Sequence, residues 1–187
     1  MYLTALQILR NLFETSAGNK MALICLDTQI LIWGIRKHAE LGQEGNIPRA
    51  ENLIEILTRS KDNIIIPSIV CAEACAAVPD DRIQSFMREM QRQFPIIPFD
   101  ANAAYHYRTI YQTHKGNRQE LTADGYKRPS MFADMKIVAT ALACRASSIY
   151  SEDPHLPKIA NGFIEVKSMP PVPPKQLPLM PEAQIIQ

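Results

Sequence analysis

Four acidic side chains stand at corresponding places in the chain, each just past a run of apolar residues. Asp27 closes ALICLD, and Glu73 lies a helical turn beyond the apolar run of IIIPSIVCAEACAA. Asp134 opens the helical pattern of FADMKIVATALA, and Asp153 follows the run in SIYSEDPHL. Each has an ordinary explanation when taken alone. Asp27 and Asp153 suit helix N-caps, and Asp134 suits the positive end of a helix dipole. Glu73 suits a solvated helix face, although its neighbours Cys71, Ala72, Ala74 and Cys75 are small and apolar. The repeated strand-then-acid placement argues against four separate coincidences. Carboxylates gathered at one place repel and raise one another's pKa. A hard divalent cation relieves that repulsion, and oxygen-only ligands favour Mg2+ or Mn2+ over zinc. Such an ion activates water and offsets charge on a phosphoryl group. A carboxylate-only site with no obvious nucleophile points to phosphodiester hydrolysis.

Other chemistries lack their residues. No G-x-x-x-x-G-K-[ST] loop, G-x-G-x-x-G turn or G-x-S-x-G elbow occurs, and no strand is followed by a glycine cluster. A phosphatase of the haloacid dehalogenase type wants a second aspartate two places after the first, where Gln29 stands. The formal net charge of +1 provides no broad attraction to nucleic acid, so a polyanion would need local basic patches.

The elements that must position these acids are legible as alternating runs. Besides ALICLD, short β-branched runs at 63–67, 95–99, 147–151 and 163–166 do not alternate in polarity, the pattern of parallel strands buried on both faces. Helical stretches are expected at 49–60, 68–77, 80–93, 101–114 and 131–146. Alternation of strand and helix predicts an α/β fold: a central, mainly parallel sheet of about five strands with helices on both sides. Loops after the carboxyl ends of parallel strands share one edge, so the four acids are expected there together.

The length suits one domain with a real core. The expected boundaries are an N-terminal arm or helix at 1–20, the compact domain at 21–169 and a proline-rich tail, extended or disordered, at 170–187. The polar stretch 114–130 reads as a long loop. Cys25, Cys71, Cys75 and Cys144 read as reduced, buried thiols, and no histidine pair has metal-ligand spacing. Neither a signal peptide nor a membrane span is read, which makes a cytoplasmic location the default.

Between Met21 and Met169 the motifs resemble those of the PIN-domain nucleases, which include the toxins of toxin–antitoxin pairs. They are LDTQILI, Ser68 with Glu73 five residues on, DMKIVATA with Asp134, Ile137, Ala139 and Ala141, and Ser151-Glu152-Asp153. Gln29 stands where the family usually has asparagine. The resemblance implies a three-layer α/β/α sandwich and a metal-dependent endoribonuclease, with Asp27, Glu73, Asp134 and Asp153 catalytic and holding Mg2+ or Mn2+. Thr28, Ser68 and Ser151 would be supporting hydroxyl residues. An RNA substrate, an antitoxin or other protein partner and a homodimer come with that expectation. A PIN-like scaffold that binds RNA or protein with little catalysis is the alternative.

Candidate phosphate contacts are Arg36, Lys37, Lys115, Arg118, Lys127, Arg128 and Lys136. Tyr126, beside Lys127 and Arg128, is a candidate for stacking on an unpaired base.

Overall fold

In the computed structural model the described residues are 21–116, 121–122 and 125–173. The expected N-terminal helix, most of the proline-rich tail and Arg118 therefore lie outside the described residues. Five strands form one sheet: β1 (Leu23–Leu26), β2 (Asn63–Pro67), β3 (Ile96–Ile97), β4 (Ser148–Tyr150) and β5 (Glu165–Lys167). Their spatial order is β3-β2-β1-β4-β5, and every pairing is parallel. The chain winds outward from β1 through β2 to β3, then returns to the other side of β1 for β4 and β5. The direction of winding therefore reverses between β1 and β4, and the crevice beyond the carboxyl ends of two such strands is where open α/β sheets bind ligands.

Among the described residues seven helices connect the strands: α1 (Thr28–Gly34), α2 (Asn46–Arg59), α3 (Ser68–Ala76), α4 (Ile83–Gln93), α5 (Ala101–Thr113), α6 (Arg128–Ala143) and α7 (Leu156–Ala160). Right-handed crossovers put α1–α4 on one face and α5–α7 on the other. The packing agrees, with α1 against α2 and α3, and α6 against α5 and α7. Helix α3 also meets α6, so the carriers of Glu73 and Asp134 touch. This is the expected α/β/α architecture. All of β1 is buried, and Leu26, Ile30, Leu31, Ile65, Ile66, Ile97 and Ile137 are among the fully buried side chains at the centre. Among the described residues no helix is long and apolar enough to cross a membrane. All four cysteines are free; Cys71 and Cys75 share one side of α3, where both thiols meet the Met87 sulfur of α4.

Several boundaries differ from the sequence expectation, each for a local reason. Helices α1 and α7 were not expected; both are short, of 7 and 5 residues. Helix α6 occupies 128–143 rather than 131–146, because Pro129 fits a first helical turn and Arg145 adopts a left-handed φ of 58° that ends the helix. Strand β3 shrinks to Ile96–Ile97 between Pro95 and Pro98, which have no N–H to give a ladder. Strand β5 starts at Glu165 rather than residue 163, because Gly162 (φ +80°) turns the chain and Phe163 N–H bonds back to Ala160. Helix α4 starts at Ile83 because Pro79–Arg82 forms a turn first, with Arg82 N–H bonded to the Pro79 carbonyl.

Candidate active site

Asp27 sits where β1 ends, and its backbone N–H still pairs with the Tyr150 carbonyl of β4. It is also the N-cap of α1, with its Oδ1 accepting the Thr28 N–H at 2.7 Å. Its Oδ2 accepts the Ser151 hydroxyl at 2.6 Å, so the two strands flanking the winding reversal are tied together by this carboxylate. The Thr28 hydroxyl turns the other way and donates to Glu73 Oε2 on α3. Ser151 Oγ in turn accepts the Asp153 N–H at 3.0 Å. The Thr28 and Ser151 hydroxyls thus each donate to one of the acids. Ser68 opens α3 half-buried, and among the described residues its hydroxyl makes no hydrogen bond to an acid.

Asp134 lies in the second turn of α6, since the helix starts earlier than expected, and it is not a first-turn partner of the helix dipole. Its Oδ2 accepts the Tyr126 hydroxyl. Tyr126 is only 3% exposed, and its ring stacks on His155, with centroids 4.4 Å apart and planes 12° from parallel. This corrects the base-stacking expectation: the ring is buried against protein and its hydroxyl is engaged. Asp153 Oδ1 accepts both the His155 N–H at 2.7 Å and its Nδ1 at 3.1 Å. The sequence reading passed over His155, although an aspartate bonding the N–H two residues on is a recognisable turn motif.

The electrostatics show that the four acids share one field. Burial pushes Asp27 up to about 6, against the Ser151 and Thr28 hydrogen bonds, and Asp153 and Glu73 push it further. Burial pushes Asp134 up to about 7, opposed by the Tyr126 hydrogen bond and reinforced by Asp27, Asp153 and Glu73. Among the described residues no lysine or arginine acts on either carboxylate. An all-oxygen set with two buried members fits a hard divalent cation in chemistry. Among the described residues no three histidine, cysteine or acidic side chains are closed into a ready ligand cage. The acids are assembled by hydroxyl and amide donors rather than by a preformed coordination polyhedron.

The basic candidates divide. Arg36 reaches across to the end of α3, donating to the Ala77 carbonyl at 3.0 Å and the Ala74 carbonyl at 3.5 Å, while Lys37 pairs with Glu51 at 2.7 Å. Lys115, Lys127 and Arg128 are exposed, and Lys136 is half-buried two residues from Asp134. Arg49, unmarked by any sequence signal, bonds Glu152 at 3.1 Å and the Met169 carbonyl at 2.7 Å. Glu152 also accepts the Met169 N–H at 2.7 Å, which fastens the chain beyond β5 beside the acids.

A model of the PIN domain matches residues 24–162, and the match takes in all four acids. Among solved structures, VapBC2 from Rickettsia felis, bound to a DNA fragment from its promoter, is similar at 22% identity and a TM-score of 0.54, covering 79% of this chain and 99% of that one. DNA-bound VapBC from Salmonella typhimurium is similar at 19% identity and a TM-score of 0.53, covering 79% and 98%. Comparison with curated protein sequences gives no match.

Proposed function

The chain belongs to the PIN domain family, a family of nucleases, and from that premise we propose that it is a metal-dependent endoribonuclease acting through Asp27, Glu73, Asp134 and Asp153. The observation that carries this reading is the electrostatics of the site: two buried carboxylates raised to about 6 and about 7, with no lysine or arginine among the described residues acting on them. Such a group is poorly used as a scaffold and well used as a cation seat. The four acids would hold Mg2+ or Mn2+. When bound, the cation offsets charge on the phosphodiester and activates water. The protein's own part is to keep the carboxylates aimed. Ser151 and the Thr28 N–H fix Asp27, the Thr28 hydroxyl fixes Glu73, and Tyr126 fixes Asp134. Burial of Asp27 and Asp134 excludes water and strengthens their hold on positive charge. Lys127 and Arg128 at the start of α6 and Lys136 in its middle would draw in a phosphate backbone, with Arg36 at the end of α3 as a further candidate.

The proposal extends to a toxin role with an antitoxin partner, in a cytoplasmic protein that forms a homodimer; the fold shared with two VapBC structures supports its toxin part. A PIN-like scaffold with little catalysis is the competing reading, favoured by the engagement of both Asp27 oxygens with protein donors. The deciding experiment incubates a mixed RNA pool and a matched single-stranded DNA pool with the full chain in Mn2+, in Mg2+ and in chelator. Cleavage of RNA that stops in chelator is expected. RNA left intact in either metal would support the scaffold.

A further inference from the structure

We propose that Tyr126, braced by His155, is a positioning residue that aims Asp134 into the acid site; this rests on the metal-nuclease reading above. Tyr126 lies in a polar segment, directly after Gly125 at φ +82° and before the exposed Lys127. A buried aromatic at such a place must be held there by something. Its hydroxyl is on Asp134 Oδ2 and its face is on His155. Those two residues come from α6 and from the loop after β4, so the tyrosine joins elements that the backbone does not.

The connection continues without a break. Asp134 is held by Tyr126, Tyr126 stacks on His155, and His155 is bonded to Asp153 through its N–H and Nδ1. The Asp153 N–H meets Ser151 Oγ, and the Ser151 hydroxyl donates to Asp27 Oδ2. Asp27 is therefore held from β4 by a hydroxyl, and Asp134 by a phenol whose own orientation is fixed from the same loop. Tyr126 engages Oδ2, and among the described residues no hydrogen bond to the other oxygen of the same carboxylate competes with a cation. Donors that orient a ligating carboxylate in this way typically matter by about 10- to 100-fold in metal affinity.

The test is Mn2+ binding to the full chain by calorimetry, with no RNA present, for wild type, Tyr126→Phe, His155→Phe, His155→Ala and the double variant Tyr126→Phe/His155→Ala. Tyr126→Phe keeps the ring and removes the hydroxyl, and should weaken Mn2+ binding roughly tenfold. His155→Ala removes the brace and should weaken it comparably, whereas His155→Phe keeps a flat ring and should lose less. The double variant should lose less than the product of the two single losses, because both residues act on Asp134, while the His155 ring alone also bonds Asp153. Unchanged Mn2+ affinity in Tyr126→Phe would reduce the tyrosine to packing, and tighter binding would make it a competitor of the cation; either overturns the proposal. If Tyr126→Phe does not fold, the order of the two His155 variants decides, and equal affinity in both overturns it. A wild-type chain that takes up no Mn2+ would instead overturn the metal-nuclease reading, and this proposal with it.

Discussion

Glu152 and Asp153 are adjacent in sequence and live under opposite electrostatic rules. Glu152 faces Arg49, accepts the Met169 N–H and has its charge matched within the protein. Asp153 belongs to a group in which Asp27 and Asp134 are pushed up to about 6 and about 7 by burial and by one another. The donors there are hydroxyls, amide N–H groups and one histidine nitrogen, and among the described residues no lysine or arginine forms an ion pair with these acids. One residue along the chain thus separates an acid that finishes the structure from acids that leave it electrostatically incomplete. A buried, uncompensated charge is expensive to maintain, so it persists where a ligand supplies the missing partner.

The largest effect should come from removing one uncompensated charge. Asp134→Asn keeps an oxygen for the Tyr126 hydroxyl. RNA cleavage in Mn2+ should fall by at least about a hundredfold, the scale of losing a main source of charge stabilisation. In chelator near pH 8 the variant should melt no lower than wild type, because the repulsion on Asp27 is reduced. Wild type should gain stability with Mn2+ by mass action, and the variant much less. A variant that melts far below wild type in chelator would mean that Asp134 is a structural acid like Glu152.

The next effect is on pH dependence in chelator. The folded-state values of about 6 for Asp27 and about 7 for Asp134 lie above the ordinary 3.8. Between pH 4 and 7 the folded chain therefore binds more protons than the unfolded chain, and stability falls as pH rises through that window. The favourable contribution is complete below about pH 4 and gone above about pH 7. Each pKa unit is worth about 1.4 kcal/mol, so the two coupled acids should together cost a few kcal/mol across the window. The measurement is denaturant unfolding at several pH values for wild type and for an Asp27→Asn/Asp134→Asn double variant. The difference between them should shrink as pH falls. A constant difference would mean that neither carboxylate titrates in that range.

The uncompensated acids were legible in the sequence and the compensated one was not. The position of each of the four relative to an apolar run follows from strand periodicity, and parallel strands present their following loops on one edge. That reasoning depends on local pattern alone. Thr28 and Ser151 were carried by the same motifs, since they stand next to Asp27 and two residues before Asp153, although the acids that accept their hydroxyls lie 45 and 124 residues away. Tyr126 was visible as a residue but not as a partner, since its bond to Asp134 depends on how the chain turns at Gly125. Arg49 leaves no trace, because its partners lie 103 and 120 residues away. The end of α6 was missed for a related reason: Arg145 takes the left-handed position where a glycine would have signalled the stop.

The smallest effect should lie in the compensated acid. Arg49→Met keeps much of the side-chain length and removes the charge, leaving Glu152 with the Met169 N–H. The two side chains are 30% and 20% exposed, so water already weakens their attraction. A part-exposed pair of this kind contributes on the order of 1 kcal/mol, and the lost bond to the Met169 carbonyl adds a similar amount. Arg49→Met should therefore melt below wild type by about 1–2 kcal/mol in chelator. The same loss should appear with Mn2+ present, because Glu152 has no part in holding the cation. The decisive quantity is the gain in stability on adding Mn2+, compared between wild type and Arg49→Met at equal pH. Equal gains keep Glu152 and Asp153 in separate electrostatic units. A gain reduced in Arg49→Met as far as in Asp134→Asn would place Arg49 and Glu152 inside the acid site, and the contrast between neighbouring acids would collapse.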